Sequence, residues 1–184
     1  MKSVNAVSTL AAIVLVATAL AAFAAIYAAT GAYNVAADAP HTTLVRDFVS
    51  YVRSRSITVR ARDIKVPRLD DRRMIVEGAE HYDAMCTGCH LAPGMADNEM
   101  RPGMNPRPPI LAKAVGNPAE MFWTIKHGIK MSGMPAWGVT HSDEEIWNMV
   151  AFLNVLPRLT PAQYRALVAQ GGEHHDTDHM DMSH

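Results

Sequence analysis

Cysteine is nearly absent, with two residues in a chain of 184. That excludes the disulfide framework that staples many small secreted domains. It also excludes a structural zinc site built on cysteine, which wants four nitrogen or sulfur ligands. Aromatic residues make up only 7 %, and no run alternates apolar and polar side chains as a half-buried strand would. The formal net charge is −1, so global electrostatics name no partner, and no nucleic acid is expected among them. The length suits one domain with appendages rather than two.

Charge is missing altogether from residues 3–37. Residues 7–29 are rich in Ala, Val, Leu and Ile, and about 20 apolar residues suffice to cross a bilayer core. A cleavable signal has a shorter apolar stretch followed by a small-x-small site. Ala22-Phe23-Ala24 would serve as such a site, so a cleaved leader stands beside a retained anchor, with the length on the side of the anchor. A buried soluble helix without a polar face over this length is not expected. Lys2 precedes the run and arginines are abundant after it, which leaves the positive-inside count ambiguous.

Both cysteines fall in Cys86-Thr87-Gly88-Cys89-His90. C-x-x-C-H is the spacing of covalent c-type haem attachment. One helical turn presents both thiols to one edge of a porphyrin, where Cys86 and Cys89 add across the two vinyl groups, and His90 supplies an imidazole to the iron. A thioredoxin-like pair would need a βαβ pattern around it, and a simple disulfide would leave His90 unexplained. One covalent haem c is the expected cofactor. Because such haem is attached outside the cytoplasm, the expected topology puts the amino terminus inside and the domain outside.

The remaining organisation is helical. Residues 38–71 form a basic connector in which Leu44, Val45, Phe48, Val49 and Val52 have the spacing of a short amphipathic helix. The connector reads either as a juxtamembrane stretch on anionic headgroups or a partner subunit, or as a solvated, partly extended tether. A domain is expected over residues 72–170. A helix over residues 74–85, with Ile75, Ala79 and Tyr82 on one face, leads into the haem motif, and a loop rich in Pro, Gly and Met follows. Asn117-Pro118-Ala119-Glu120 and Ser142-Asp143-Glu144-Glu145 are helix starts. The first helix carries Met121, Phe122 and Ile125 and ends near Gly128. The second carries Ile146, Met149, Val150 and Leu153 and stops before Pro157. Thr160-Pro161-Ala162-Gln163 caps a last helix, ending at Gly171-Gly172. The fold class is therefore all-α: a small cytochrome c-like helical domain wrapped on its haem, which completes the core, preceded by one transmembrane helix.

Methionine is the other common axial ligand of such haems, and the chain has 12. Met134, in Gly133-Met134-Pro135, lies on an irregular segment between two capped helices, far enough past His90 to reach the opposite haem face. Met131 is the runner-up. Met95, Met100 and Met104 occupy the intervening loop, and Met121 and Met149 sit at helical positions that suit packing.

These residues resemble class I, single-haem cytochromes c, in particular membrane-anchored bacterial forms related to the cytochrome c subunits of cbb3-type oxidases. The similarity covers about residues 72–157. It rests on the haem motif with Ala92-Pro93-Gly94, on Gly128-Ile129-Lys130-Met131-Ser132-Gly133-Met134-Pro135-Ala136-Trp137-Gly138, and on Glu145-Ile146-Trp147-Asn148-Met149-Val150-Ala151-Phe152-Leu153. The resemblance supports Met134 as the ligand. It also implies that Gly78 and Tyr82 mark a helix crossing opposite Met149 and Phe152, and that Pro108 or Pro109 offers a carbonyl to His90.

The expected function is one-electron transfer with His90 and Met134 as axial ligands, without catalysis of its own. The partners are redox proteins or a respiratory or dehydrogenase complex at the outer face of the cytoplasmic membrane, along with membrane lipid. Two rivals are a haem enzyme or gas sensor with a labile sixth ligand, and a metal-binding protein. The second would use residues 171–184, a His- and Met-rich stretch that otherwise reads as a disordered tail. His81, His127 and His141 are read as surface or hydrogen-bonded histidines.

Overall fold

The computed structural model describes residues 2–113 and 116–181, without the side chains of 2–5 and 173–181. Every regular element among the described residues is helical, and the chain divides into two units, Met1–Ala39 and Pro40–His184. The first unit holds α1 (Lys2–Ala29). Over Ala6–Ala29 this helix is long and apolar enough to cross a membrane. Within it, Thr18 Oγ1 donates to the Val14 carbonyl at 2.9 Å.

The second unit contains α2 (Thr43–Ala61), α3 (Arg72–Met85), the single turn α4 (Thr87–His90), α5 (Pro118–His127), α6 (Asp143–Val155) and α7 (Pro161–Asp181). Local chemistry sets their ends. Asn117 caps α5 by accepting from the amides of Ala119 and Glu120, with Pro118 in the first turn. Ser142 and Glu145 form a reciprocal capping box on α6, and Thr160 accepts from the Gln163 amide at the start of α7. Each satisfies amides that the first turn of a helix leaves without partners.

Helix α3 packs against α6 and α7, while α5 packs against α6 and α2. The core holds Val76, Ala79 and Tyr82 of α3, Phe122 of α5, Ile146, Met149 and Phe152 of α6, and Tyr164 of α7. Val76, rather than Ile75, is fully buried on α3. Aromatic pairs join the layers: Phe122 stacks on Trp147 with centroids 4.1 Å apart, and Tyr82 lies 5.3 Å from Phe152. The Tyr164 hydroxyl donates to Asp83 at 2.6 Å.

Within the connector the expected short helix runs over Thr43–Ala61, with non-helical chain on both sides. In α2 the residues turned inward are Ser50, Arg53, Ser56, Ile57 and Ala61, whereas Leu44, Phe48 and Val52 of the apolar stripe are exposed. The end of the last helix is corrected. Residues 171–181, read from sequence as the start of a disordered tail, continue α7. Gly171 serves close packing instead of termination, because a Cβ there would stand 2.9 Å from Glu80 Cβ and 3.3 Å from the Val76 carbonyl oxygen. The side chains of the His-rich segment lie outside the described residues, so its metal-binding reading does too.

At Gly78 the α3–α6 crossing leaves no room for a side chain. A Cβ would overlap the carbonyl oxygen of Asn148 and lie 2.9 Å from Phe152 Cβ. Backbone on one side and core on the other prevent easy relaxation. Gly78→Ala is expected to lower unfolding stability by about 1–3 kcal/mol, read as a reduced midpoint in denaturant titration.

Candidate functional site

The haem motif grows out of the end of α3. The Cys86 amide donates to Tyr82 O at 2.9 Å, and the His90 amide to Cys86 O at 2.8 Å. Thr87 Oγ1 donates to Asp83 O at 2.8 Å. Residues 86–90 thus form one tight turn that ends at Leu91 in the left-handed region, with φ +61°. The Leu91 carbonyl accepts the buried Tyr82 hydroxyl at 2.6 Å, which ties the exit of the turn back to α3.

A cavity of about 350 Å³ opens beside this turn. Cys86, Cys89 and His90 line it, and so do Met134, Met104, Pro108, Pro109, Leu111, Ile125, Trp137 and Leu153. Met134 is partly buried against the core. Met131 is fully exposed, sits at φ +57° and is not among the lining residues. Met104 and Met121 join the lining, a position their sequence spacing did not disclose. His81 and His141 lie outside it in an edge-on pair with centroids 5.6 Å apart, and His127 packs beside Trp123.

His90 Nδ1 donates to the carbonyl of Pro109 at 2.8 Å. This leaves the other ring nitrogen, Nε2, as the imidazole's free donor atom. Burial lowers the His90 pKa, the Pro109 contact raises it, and the Arg101 charge lowers it; the net position is below the usual imidazole value. The ring is therefore neutral near pH 7 and has a lone pair to offer. Burial, helped by the neighbouring Cys89, pushes the Cys86 thiol up to about 12.

Arg101 secures this wall and was missed in the sequence. It is 2 % exposed, and its guanidinium donates to Cys89 O at 2.7 Å, Pro108 O at 2.8 Å and Asp97 Oδ1 at 2.6 Å. Asp97 also pairs with Arg107, and Asn98 Nδ2 donates to Gly88 O at 2.7 Å. One buried cation thus fastens the turn bearing the cysteines to the proline segment that orients His90. An arginine in a loop gives no periodic sign of burial, so only the fold reveals this role.

The Met134 part of the lining is shaped by Gly128 and Ser132. Gly128 ends α5 at φ +63°, where a Cβ would meet the Met134 and Pro135 backbone at 2.6–2.7 Å. The chain turns there so that the Ile129 amide donates to Met134 O at 3.1 Å. Ser132 Oγ donates to Ile129 O at 2.8 Å and accepts from the Met134 amide at 3.2 Å. The Met134 segment is a small closed loop rather than a free excursion.

Residues 73–153 match the family described as cytochrome C oxidase, cbb3-type, subunit III. The chain carries a cytochrome c domain. Comparison with curated proteins and with solved structures found no match. A cytochrome c domain implies covalent haem c, and the site fits one: two unbridged thiols, a neutral imidazole and a thioether share one largely apolar cavity. Domains of this kind serve as electron carriers or oxidase subunits.

Two predictions follow from the Arg101 clamp. Arg101→Leu removes the donor from the Cys89 and Pro108 carbonyls, which should cost about 1–3 kcal/mol in denaturant unfolding. The second concerns acid. Burial raises the Asp97 pKa, but the hydrogen bond and charge of Arg101 and the charge of Arg107 outweigh it and hold the carboxyl below the ordinary range. Its stabilising contribution is then full above about pH 4 and fades as pH falls through the depressed folded value. Asp97→Asn should remove this acid-sensitive component, seen as a flatter dependence of the unfolding midpoint on pH below about 4.

Proposed function

We propose that this protein passes single electrons at the outer face of the cytoplasmic membrane, as a carrier or a fixed subunit of a respiratory or dehydrogenase complex. The observation that carries the proposal is the convergence of Cys86, Cys89, His90 and Met134 on one cavity. A bound haem c supplies the ferric/ferrous couple. Cys86 and Cys89 would tether it, and His90 Nε2 and Met134 Sδ would hold its iron. Pro109 holds the His90 ring in one orientation, and Ser132 holds the Met134 segment. With His90 Nε2 and Met134 Sδ both committed to the iron, the chain would leave no open site for a substrate, and fixed ligands would keep rearrangement between redox states small. The apolar lining and the thioether favour a higher potential than a second histidine would.

In this proposal residues 1–37 are a retained anchor, 38–71 a connector and 72–170 the cytochrome c domain. The length and apolar character of α1 support the anchor, and covalent haem attachment supports an extracytoplasmic domain. The family description suggests a membrane redox complex as partner.

Met134→Ala should keep covalent haem, lose the thioether-to-iron absorption band and lower the midpoint potential, while Met131→Ala should leave haem, band and potential unchanged. The reduced wild-type protein should bind carbon monoxide slowly and incompletely at neutral pH. Rapid stoichiometric binding would favour an open sixth position and overturn the His90/Met134 assignment.

A further inference from the structure

Two cations line the cavity: Arg107, and Arg53 from α2. Arg107 is already paired with Asp97. Arg53 is half-buried on the inward face of α2, and its guanidinium donates to the Ser50 hydroxyl at 2.9 Å. Among the described residues no carboxylate forms an ion pair with it. A partly buried cation facing an apolar wall without an anion is costly. Glu120 also lines the cavity but is engaged by Thr58, so an anionic group entering the cavity would offset that cost.

Helix α2 is held at this place by contacts of its own. Ile57, one turn on from Arg53, lines the same cavity. Thr58 Oγ1 donates to Glu120 Oε1 of α5 at 2.7 Å, which engages an acidic residue that also lines the cavity. Ala61 at the end of the same face is 2 % exposed. The stripe 50, 53, 57, 61 is the face that meets the domain, although α2 lies wholly outside residues 73–153 that match the family.

We propose that Arg53 is an anchor for a propionate of the haem, so that the helix preceding the cytochrome c domain completes the cofactor site. This rests on the haem reading above. Haem carries two carboxylates on one edge, and arginine presents a planar fork that pairs with a carboxylate through two hydrogen bonds. The ionised propionate favours ferric iron, because the oxidised centre carries one more positive charge. Arg53 offsets that charge and so raises the reduction potential.

The test is equilibrium redox titration of the full-length, haem-loaded protein in detergent at pH 8, where propionates stay ionised. Arg53→Gln should shift the midpoint to lower potential, and Arg53→Lys should restore most of the shift. Arg55→Gln removes the same charge from an exposed position on the same helix and should leave the midpoint in place. If Arg53→Gln moves the midpoint no further than Arg55→Gln, the anchor is overturned while the electron-transfer reading survives. Protein that matures without covalent haem would defeat that reading itself, and the anchor with it.

Discussion

Helix α3 approaches α6 as closely as it does because residue 78 has no side chain, and the position of the haem motif follows from that crossing. The cysteine-bearing turn continues α3 directly. Tyr82, one turn after Gly78, is locked between Phe152 and the Leu91 carbonyl. A shift at the crossing would carry Cys86 and His90 with it. The α3–α6 crossing thereby fixes the position of the haem motif.

From this base the chain forms two unlike arms around the cavity. The histidine arm is fastened by a buried guanidinium acting on backbone carbonyls, and the methionine arm by a glycine-started loop closed on Ser132. Much of each arm is irregular, yet each has its polar groups committed to specific partners. Irregular segments held this way can be as fixed as helices, because a buried donor or acceptor is expensive to release. For a proposed electron carrier this stiffness has a direct use, since ligands that stay in place lower the structural cost of each redox change.

The helix starts were legible because capping is local: Asn117, Ser142 and Thr160 act on amides two or three residues away. The thiol and histidine spacing was legible for the same reason. Placement and the family resemblance together ranked Met134 above Met131, and the fold separates them by burial. What stayed hidden depends on residues far apart in sequence. Arg101 reaches Cys89 and Pro108, Asn98 reaches Gly88, and Thr58 reaches Glu120. Choosing Pro109 over Pro108 as the acceptor needed the loop path, which sends the neighbouring carbonyl to Arg101. The Gly171-Gly172 pair misled because a glycine that ends a helix and one that admits a neighbouring helix look alike in one dimension.

The reach of Arg101 bears on how this chain tolerates changes of length. Surface loops usually accept insertions and deletions freely. Here one guanidinium bridges the carbonyls of Cys89 and Pro108 across the segment that contains it. Gaining or losing a residue on either side would swing the fork off one carbonyl or the other. The stretch from 90 to 108, though rich in proline, glycine and methionine, is therefore a gauge of fixed span, and drift in chain length should gather elsewhere.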